Sequence, residues 1–333
     1  WFVAKLGSLQ DAPGMPYAYP LTPKLRSLFR THPPLDMTNA YLVQGRPQGA
    51  FADVRSGMHT CDDTQFTRFW WECHRSEIGR GRRWVPYAKG GKALHFYSRN
   101  DVVLNWGNDG EAVKAFNTKI LNGGHWSKNI INSDYFFRPG FVWQKINWGG
   151  RCFAELETGH IISHSSLNGF ANPPLGNPEL VALLNSSLVT ALKFAMMPER
   201  KWEVGLVSSM PIAAAITSAR EELARLHTNL KKVMLRRHNG DETCRDFAAP
   251  DLHLIFHKDC ESDATVALDL SVLAQLWIAA RKALADEEAR LVHELDEQVY
   301  RLYEISPEDR TLVERELARR PKSESGYSAA ELA

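Results

Sequence analysis

Residues 177–198 read NPELVALLNSSLVTALKFAMMP, and this stretch marks the point where the chain changes from strands to helices. Its apolar residues recur at helical spacing, and Pro198 ends the run. Upstream, short apolar runs such as DVVLNW and CFAELETGHIISH alternate with turn residues, which is typical of strands. Downstream, residues 213–238 and 270–303 have long helical patterns, and a further helix is expected after a Ser306 cap. The sequence therefore predicts an α+β fold with a strand-rich domain followed by a helical C-terminal region.

The same patterns predict four segments. Residues 1–56 are rich in proline and are expected to form an extended linker segment with one short helix, Pro23–Thr31. Residues 57–212 are predicted to form the mixed α/β domain, in which WEVGLVSSMPI returns to a strand after the helix. Residues 213–320 form the predicted helical region, and residues 321–333 a weakly ordered tail.

Cysteine usage and hydropathy indicate the compartment. The five cysteines are scattered, odd in number and contain no CxxC pair, which favours a reducing cytoplasm over a disulfide framework. No secretory signal pattern is visible, and the apolar run of residues 180–197 is interrupted by polar residues, so a core helix is expected and no membrane association. The chain begins with Trp1, from which we expect a piece of a larger protein.

Charge is distributed unevenly along the chain. The whole chain has a formal net charge of +1, whereas the stretch from Gln65 to Arg151 holds fourteen basic and six acidic residues, a net charge of +8. A nucleic-acid surface therefore has to come from local charge segregation in the strand-rich half.

The first candidate for such a surface is RGRRWVPYAKGGK, residues 80–92. Glycines let a backbone approach a ligand closely, and four cations are candidates for neutralising DNA phosphates. They are Arg82, Arg83, Lys89 and Lys92. Neighbouring Trp84 or Tyr87 could stack on an unpaired base. The alternative is a solvated hairpin between two strands.

The second candidate is NWGNDGEAVKAF, which places Asn105 and Asp109 just before a helix that is expected to begin near Glu111. Asn and Asp commonly cap helices, so a structural role is the alternative here. An Asn side chain can also pair with both hydrogen-bonding atoms of an adenine edge, which makes Asn105 and Asp109 candidate DNA-binding residues.

Other chemistry has weak support. Asn172, Pro173, Pro174 and Leu175 resemble the Asn-Pro-Pro-aromatic motif of amino-methylating enzymes, but leucine replaces the aromatic ring. The only GxG, starting at Gly79, lies among arginines and follows no convincing strand. We therefore predict no catalytic residue and no cofactor site on this chain.

A zinc site is the remaining chemical alternative. Cys244, His253, His257 and Cys260 cluster in sequence, although their spacing matches no standard zinc finger and the two histidines lie in an apolar run. We therefore predict no metal site. An enzyme that uses zinc at this cluster stays open as an alternative function.

Several motifs together carry a resemblance. GMHTCDDTQFTRFWWEC, residues 57–73, resembles a Gly-Leu-x-Thr-Gly-Asp-Asn-Asp-x-Phe-x-Arg-x-Trp-x-Glu segment of PglX-type adenine-specific DNA methyltransferases from bacterial restriction and phage-defence (BREX) systems. RWVPYAKGGK, VVLNWGNDGEAVKAF, the Leu-Leu-Asn-Ser helix and LDEQVYRLYEISPEDRTLVE are similar to later segments of the same family. The matching residues of the first motif are Gly57, Thr60, Asp62, Phe66, Arg68, Trp70 and Glu72, and the departures are Met58, Cys61, Asp63 and Thr64.

The resemblance implies the target-recognition half of such a methyltransferase. The implied reaction is methyl transfer from S-adenosylmethionine to an adenine amino group, with the cofactor site and catalytic motif on an upstream catalytic domain. The implied partners are double-stranded DNA, that catalytic domain and other defence-system proteins. By resemblance, Thr60, Asp62 and Arg68 belong to a loop at the domain junction, and Trp70 and Trp71 are expected to be partly in the core. A non-catalytic DNA-specificity subunit or a defence-complex scaffold is the alternative.

Overall fold

The computed structural model describes residues 21–38, 51–89, 95–146, 150–196, 201–251, 253 and 270–318. Its α-helices are α1 (Pro23–Thr31), α2 (Asp63–Phe66), α3 (Gly107–Ile120), α4 (Asn177–Leu184), α5 (Ser187–Met196), α6 (Val204–Ser208), α7 (Arg220–His238), α8 (Leu270–Leu302) and α9 (Pro307–Ala318). Its strands are β1 (Ala52–Arg55), β2 (Thr67–Phe69), β3 (Trp84–Ala88), β4 (Phe96–Tyr97), β5 (Val102–Asn105), β6 (Gly140–Gln144), β7 (Ala154–Leu156), β8 (Ile161–Ile162) and β9 (Ser166–Ala171). Short 3₁₀ helices occupy Trp70–Glu72, Arg75–Glu77, Trp126–Lys128, Ser133–Tyr135 and Ala214–Ala219. The predicted α+β fold class is confirmed.

The strands form two mixed sheets. The larger sheet has the order β1-β9-β6-β7-β4, in which only the β7–β4 pair is parallel. The smaller sheet has the order β2-β5-β3-β8, in which β3 and β8 are parallel. In the larger sheet, the Phe141 ring lies on Gly169, its direct cross-strand partner, where any Cβ would come within 2.0 Å of the ring. Gly169 thus leaves the space that this ring occupies.

The larger sheet separates two hydrophobic cores, because successive side chains of a strand point to opposite faces. On β6, Phe141 and Trp143 pack into the core shared with the helices, whereas Val142 packs into the core beneath the smaller sheet and α3. The helical core draws on residues from Leu21 to Val313. The smaller sheet therefore lies on the face of the larger sheet that is opposite the helical layer.

The stretch that sets the fold class forms two helices rather than one. α4 and α5 meet at an angle of 66°, and the break falls at Asn185 and Ser186. The fully buried Asn185 side chain accepts hydrogen bonds from the backbone N–H of Cys152 and Phe153, both at 3.1 Å, and donates one to the Phe153 carbonyl at 2.7 Å. This amide therefore pairs with backbone groups in the way that a neighbouring strand would, and it joins the helix break to the segment that leads into β7.

The first and last described helices are in contact. The Thr22 hydroxyl caps α1 and donates a 2.6 Å hydrogen bond to Asp309 of α9. Ser306 caps α9 through the Asp309 N–H at 3.2 Å, so both predicted helix starts are confirmed. The Tyr303 hydroxyl donates to the Pro211 carbonyl at 2.7 Å and accepts from the Ala213 N–H at 3.1 Å. These bonds join the C-terminal helices to the segment after α6.

The predicted strand over residues 202–212 was wrong. Its middle, Val204–Ser208, is the one-turn helix α6, and only its two ends are extended. Trp202 donates its N–H to the Lys145 carbonyl at 2.7 Å, and Ile212 donates to the Pro33 carbonyl at 2.8 Å. Local β propensity at Val204 and Val207 is overridden by burial of this turn in the helical core.

None of the described helices is by itself long and apolar enough to cross a bilayer. Only α4 and α5 taken together reach that length and composition, and the two helices are bent by 66°.

Candidate nucleic-acid interface

The arginines of residues 80–83 lie on a tight turn that leads into β3. The Arg82 N–H donates to the Gly79 carbonyl at 3.1 Å, which closes a four-residue β-turn. Gly81 occupies the third position with φ of 75°, a conformation that glycine adopts without steric cost. Arg80, Arg82 and Arg83 are all exposed. The sequence Gly-Arg-Gly-Arg-Arg therefore makes a projecting cationic turn.

A second turn of unusual conformation precedes the regular part of α3. Asn108, Asp109 and Gly110 all have left-handed backbone angles, with φ of 52°, 54° and 72°. Asn, Asp and Gly are the residues that reach this region most readily. The Trp106 ring lies against Gly110, where a Cβ would come within 2.6 Å of it. Regular helix starts at Glu111, as predicted.

The side chains of Asn108 and Asp109 do not cap α3, which was the structural alternative, and they bond to other side chains instead. Asp109 accepts a 3.3 Å hydrogen bond from the Trp106 indole N–H and forms a 2.6 Å ion pair with Lys114. Asn108 donates a 3.4 Å hydrogen bond to Glu111. These contacts hold the left-handed turn in place and leave its outer surface exposed.

The two turns face each other across an open cleft of about 870 Å³. Strand pairing brings them together, because Trp84 of β3 is opposite Asn105 of β5 and the Trp106 N–H donates to the Arg83 carbonyl at 2.8 Å. We call this the arginine cleft. Its lining residues are Arg80, Gly81, Arg82, Arg83, Asn105, Trp106, Gly107, Asn108, Asp109, Glu111, Ala112 and Phe137. Four of the six predicted DNA-binding residues thus line one cleft.

The polar groups of the arginine cleft differ in their availability. Within the described ranges, no hydrogen bond or ion pair engages the side chains of Arg82 and Asn105. The Arg80 guanidinium lies 5.1 Å from the centre of the Phe137 ring, and Arg83 lies 5.3 Å from that of Trp84. The cleft therefore offers a cation and an amide that can bind an external partner. Arg80 and Phe137 belong to it although neither was selected from the sequence.

The other predicted residues lie elsewhere. Lys89, at the end of β3, forms an ion pair with Asp63. Burial opposes ionisation of Asp63, but hydrogen bonds from Lys89 and Thr60 outweigh it and lower the pKa of this carboxyl group. Lys89 is thus engaged within the chain and lines no part of the cleft. Lys92 lies outside the described residues.

The residues assigned to the junction loop organise α2. The Thr60 hydroxyl donates a 2.5 Å hydrogen bond to Asp63, and Asp62 caps α2 by accepting from the Gln65 N–H at 3.0 Å. Arg68 donates to the carbonyls of Thr64 and Thr67 at 2.8 and 2.6 Å. Asp63, a departure from the family pattern, therefore has a defined role as the partner of Lys89.

The aromatic cluster is less buried than the sequence suggested. Phe69 and Trp71 are 48% and 43% exposed, and Trp70 is half-buried with its indole N–H donating to the Thr243 carbonyl at 2.9 Å. The expectation that Trp71 lies partly in the core was therefore wrong. Trp71 occupies a 3₁₀ turn that follows β2, the edge strand of the smaller sheet, and its ring contacts those of Phe69 and Trp70.

The residues considered for methylation chemistry are arranged differently from a catalytic motif. Asn172 follows β9, but Leu175 is packed in the helical core and supplies no aromatic ring. Gly79 and Gly81 form the arginine turn and do not join a strand to a helix. These residues do not fit a site for S-adenosylmethionine or for a target adenine.

The proposed zinc cluster is only partly described. Cys244 is buried with its sulfur 3.2 Å from the Tyr97 hydroxyl, and His253 is exposed. His257 and Cys260 lie outside the described residues. Among the residues that the structure covers, no three metal-binding side chains converge.

Two curated proteins are similar to part of this chain. No protein-family model matches it. Over 218 residues, 63% of this chain, it is 27% identical to adenine-specific methyltransferase PglX of Lacticaseibacillus casei (strain Zhang), of which it covers 17%. Over 206 residues, 60% of this chain, it is 24% identical to adenine-specific methyltransferase BrxX of Escherichia coli O9:H4 (strain HS), of which it covers 15%. The chain thus spans less than a fifth of the length of these curated relatives. The partial similarity supports a relationship to adenine-specific methyltransferases.

Proposed function

We propose that this chain is the DNA target-recognition part of an S-adenosylmethionine-dependent, adenine-specific DNA methyltransferase of a bacterial restriction or phage-defence system. Double-stranded DNA binds at the arginine cleft, and a catalytic domain in another part of the protein holds the cofactor and transfers the methyl group. The names of the two similar proteins support the reaction class. The geometry of the cleft supports the role of this part.

The observation that carries the proposal is the convergence of two separate segments on one cleft. An exposed arginine turn and a rigid left-handed turn face each other, and the Arg82 and Asn105 side chains point to no partner within the described chain. Arginines on such a surface neutralise phosphates, and phosphate contacts fix the register of a protein on DNA. An asparagine amide between them can then read a base edge, with adenine as its best match.

The cationic and amide side chains of the arginine cleft have different roles in this proposal. Arg82 and Arg83 hold the phosphate backbone, and Asn105 contributes to sequence preference. S-adenosylmethionine supplies the methyl group when it is bound to the catalytic domain. The residues described here bind and orient the duplex so that the target base can be extruded toward that domain. Lys92 stays a candidate for a further phosphate contact, and Lys89 joins only if its ion pair with Asp63 opens.

The test is salt-dependent binding of the full chain to random-sequence duplex DNA, measured by fluorescence anisotropy. The double variant Arg82→Ala, Arg83→Ala is compared with the wild type. Each lost phosphate contact reduces the slope of log K against log salt by about 0.9, so the variant slope should be shallower by about 1.8. Affinity at low salt should fall across all sequences alike.

The chain offers a charge-matched control. Arg236 and Arg290 on α7 and α8 are 63% and 64% exposed, and among the described residues each forms only a long surface ion pair. The variant Arg236→Ala, Arg290→Ala removes the same two charges and should leave the slope unchanged. Equal slopes for the wild type and the Arg82, Arg83 variant would contradict a DNA contact at the arginine cleft. Addition of the catalytic domain and a methylation assay then separate a recognition domain from a non-catalytic specificity subunit.

A further inference from the structure

Phe69 and Trp71 form an exposed pair of parallel aromatic rings. Their centroids are 4.6 Å apart and their planes differ by 3°. The two side chains are 48% and 43% exposed, so each ring has one face in contact with the other ring and much of its remaining surface open. We call this pair the aromatic platform. Removing such rings from water is favourable, and a planar partner that covers them gains both buried area and stacking energy.

The aromatic platform is held rigidly. The Trp70 ring meets Trp71 edge-on at 5.9 Å, and the Trp70 indole N–H is fixed to the Thr243 carbonyl. The Glu72 carboxylate accepts a 2.6 Å hydrogen bond from the Phe69 N–H and so closes the 3₁₀ turn that carries Trp71. A rigid ring loses little conformational entropy on binding, which favours its use as a contact.

The aromatic platform and the arginine cleft are carried by the same small sheet, since β2 leads into the platform and β5 and β3 carry the cleft. Arg68, next to Phe69 in sequence, lies 5.9 Å from the centre of the Trp84 ring, and Arg83 of the cleft lies 5.3 Å from the same centre. Between residues 67 and 83 there are five arginines and two glutamates, a net charge of +3. A polyanion is therefore the occupant whose charge matches these surroundings.

We infer that the aromatic platform stacks an unpaired base of DNA that is bound at the arginine cleft. This inference rests on the proposed function. Every base has a planar face that can lie on an exposed tryptophan, and flanking arginines hold the adjoining phosphates. A duplex that has lost one base pair exposes such a face, whereas a fully paired duplex stacks its bases internally. The platform would therefore favour locally opened DNA over intact duplex.

The test compares two probes that differ by one nucleotide, a fully paired duplex and the same duplex with a single bulged adenine. The wild-type chain should bind the bulged probe about tenfold more tightly, within the range measured for stacking of one base on an aromatic side chain. Trp71→Ala should lose this preference and keep its affinity for the paired probe. Trp71→Phe should restore part of the preference because it keeps a planar ring.

Controls separate stacking from general effects. Ile146→Ala removes another exposed apolar side chain, 56% exposed and outside the smaller sheet, and should keep the preference. A bulged 2-aminopurine gives an independent readout, since its fluorescence should be quenched by the wild type and not by Trp71→Ala. Unchanged thermal unfolding of Trp71→Ala shows that the variant is folded.

The outcomes distinguish this inference from the function on which it rests. If the chain binds the paired probe with salt dependence but shows no preference for the bulge, base stacking on the aromatic platform is refuted and the proposed function stands. Phe69 and Trp71 would then be a contact for a protein. A preference that survives in Trp71→Ala refutes it as well. A chain that binds neither probe refutes both the platform and the proposed function.

Discussion

Asn185 is the residue on which the connection between helices and sheet depends, and we expect Asn185→Ala to be strongly destabilising. Truncation removes the acceptor of two buried backbone N–H groups, those of Cys152 and Phe153. The Phe153 carbonyl keeps a partner because it also accepts from the Phe96 N–H at 2.8 Å. The structure therefore predicts two orphaned donors and no orphaned carbonyl.

The magnitude follows from this count. Each buried donor left without a partner costs about 1–3 kcal/mol, so the free energy of unfolding should fall by about 4 kcal/mol. Urea unfolding, followed by tryptophan fluorescence, should show a midpoint lower by about 1.3 M if the slope is about 3 kcal/mol per M. Asn239 is the matched control because it is half-buried, has a helical backbone and forms no side-chain hydrogen bond within the described chain.

Asn239→Ala should lower the free energy of unfolding by at most about 0.5 kcal/mol, because no hydrogen bond of the side chain is lost. The reasoning is refuted if Asn185→Ala and Asn239→Ala lower the midpoint equally. Such a result would mean that the two backbone donors find other partners, with water as the simplest one.

Three further outcomes are expected, each measurable by urea unfolding. Gly169→Ala should destabilise the larger sheet by about 1–3 kcal/mol because the new Cβ meets the Phe141 ring, and an unchanged midpoint would refute this packing. Asn108→Val should cost about 1–2 kcal/mol, whereas Asn108→Gly should be tolerated, because only the latter accepts a left-handed backbone freely. Burial lowers the pKa of His160 from 6.5 to about 4, despite a hydrogen bond to the Glu157 carbonyl. The unfolded chain therefore takes up this proton first as pH falls, and the folded state should lose about 2 kcal/mol between pH 7 and pH 5. Between pH 7 and pH 5 the free energy of unfolding of His160→Gln should fall by less than that of the wild type. An identical pH dependence of the two proteins would contradict the role given to His160.

Helices with local signals were predictable from the sequence. Thr22 with Pro23 and Ser306 with Pro307 are start signals that act within one turn, and both helices begin where those residues place them. The turn at Val204–Ser208 was not predictable, because its local pattern favours a strand and only its buried surroundings select a helix. Trp71 was misjudged for the same kind of reason, since its exposure depends on its position at a sheet edge.

The arginine cleft shows the same limit at the level of the site. The sequence selected Arg82, Arg83, Asn105 and Asp109 by residue type, but their convergence depends on the register between β3 and β5. That register is a long-range property that no local pattern contains. The pairing of Lys89 with Asp63 is likewise a contact between residues distant in sequence, and it engages within the chain a candidate that residue type alone had favoured.

The contact between Thr22 and Asp309 has a consequence for synthesis on the ribosome. The two residues are 287 positions apart, so at about 5–20 residues per second α1 is made roughly 15–60 s before the helix against which it packs. During that interval Leu25, Leu28 and Phe29, which are fully buried in the finished protein, lack part of their core. The nascent chain therefore presents the apolar face of α1 early and completes the packing around it late, so this face stays open to water throughout most of translation.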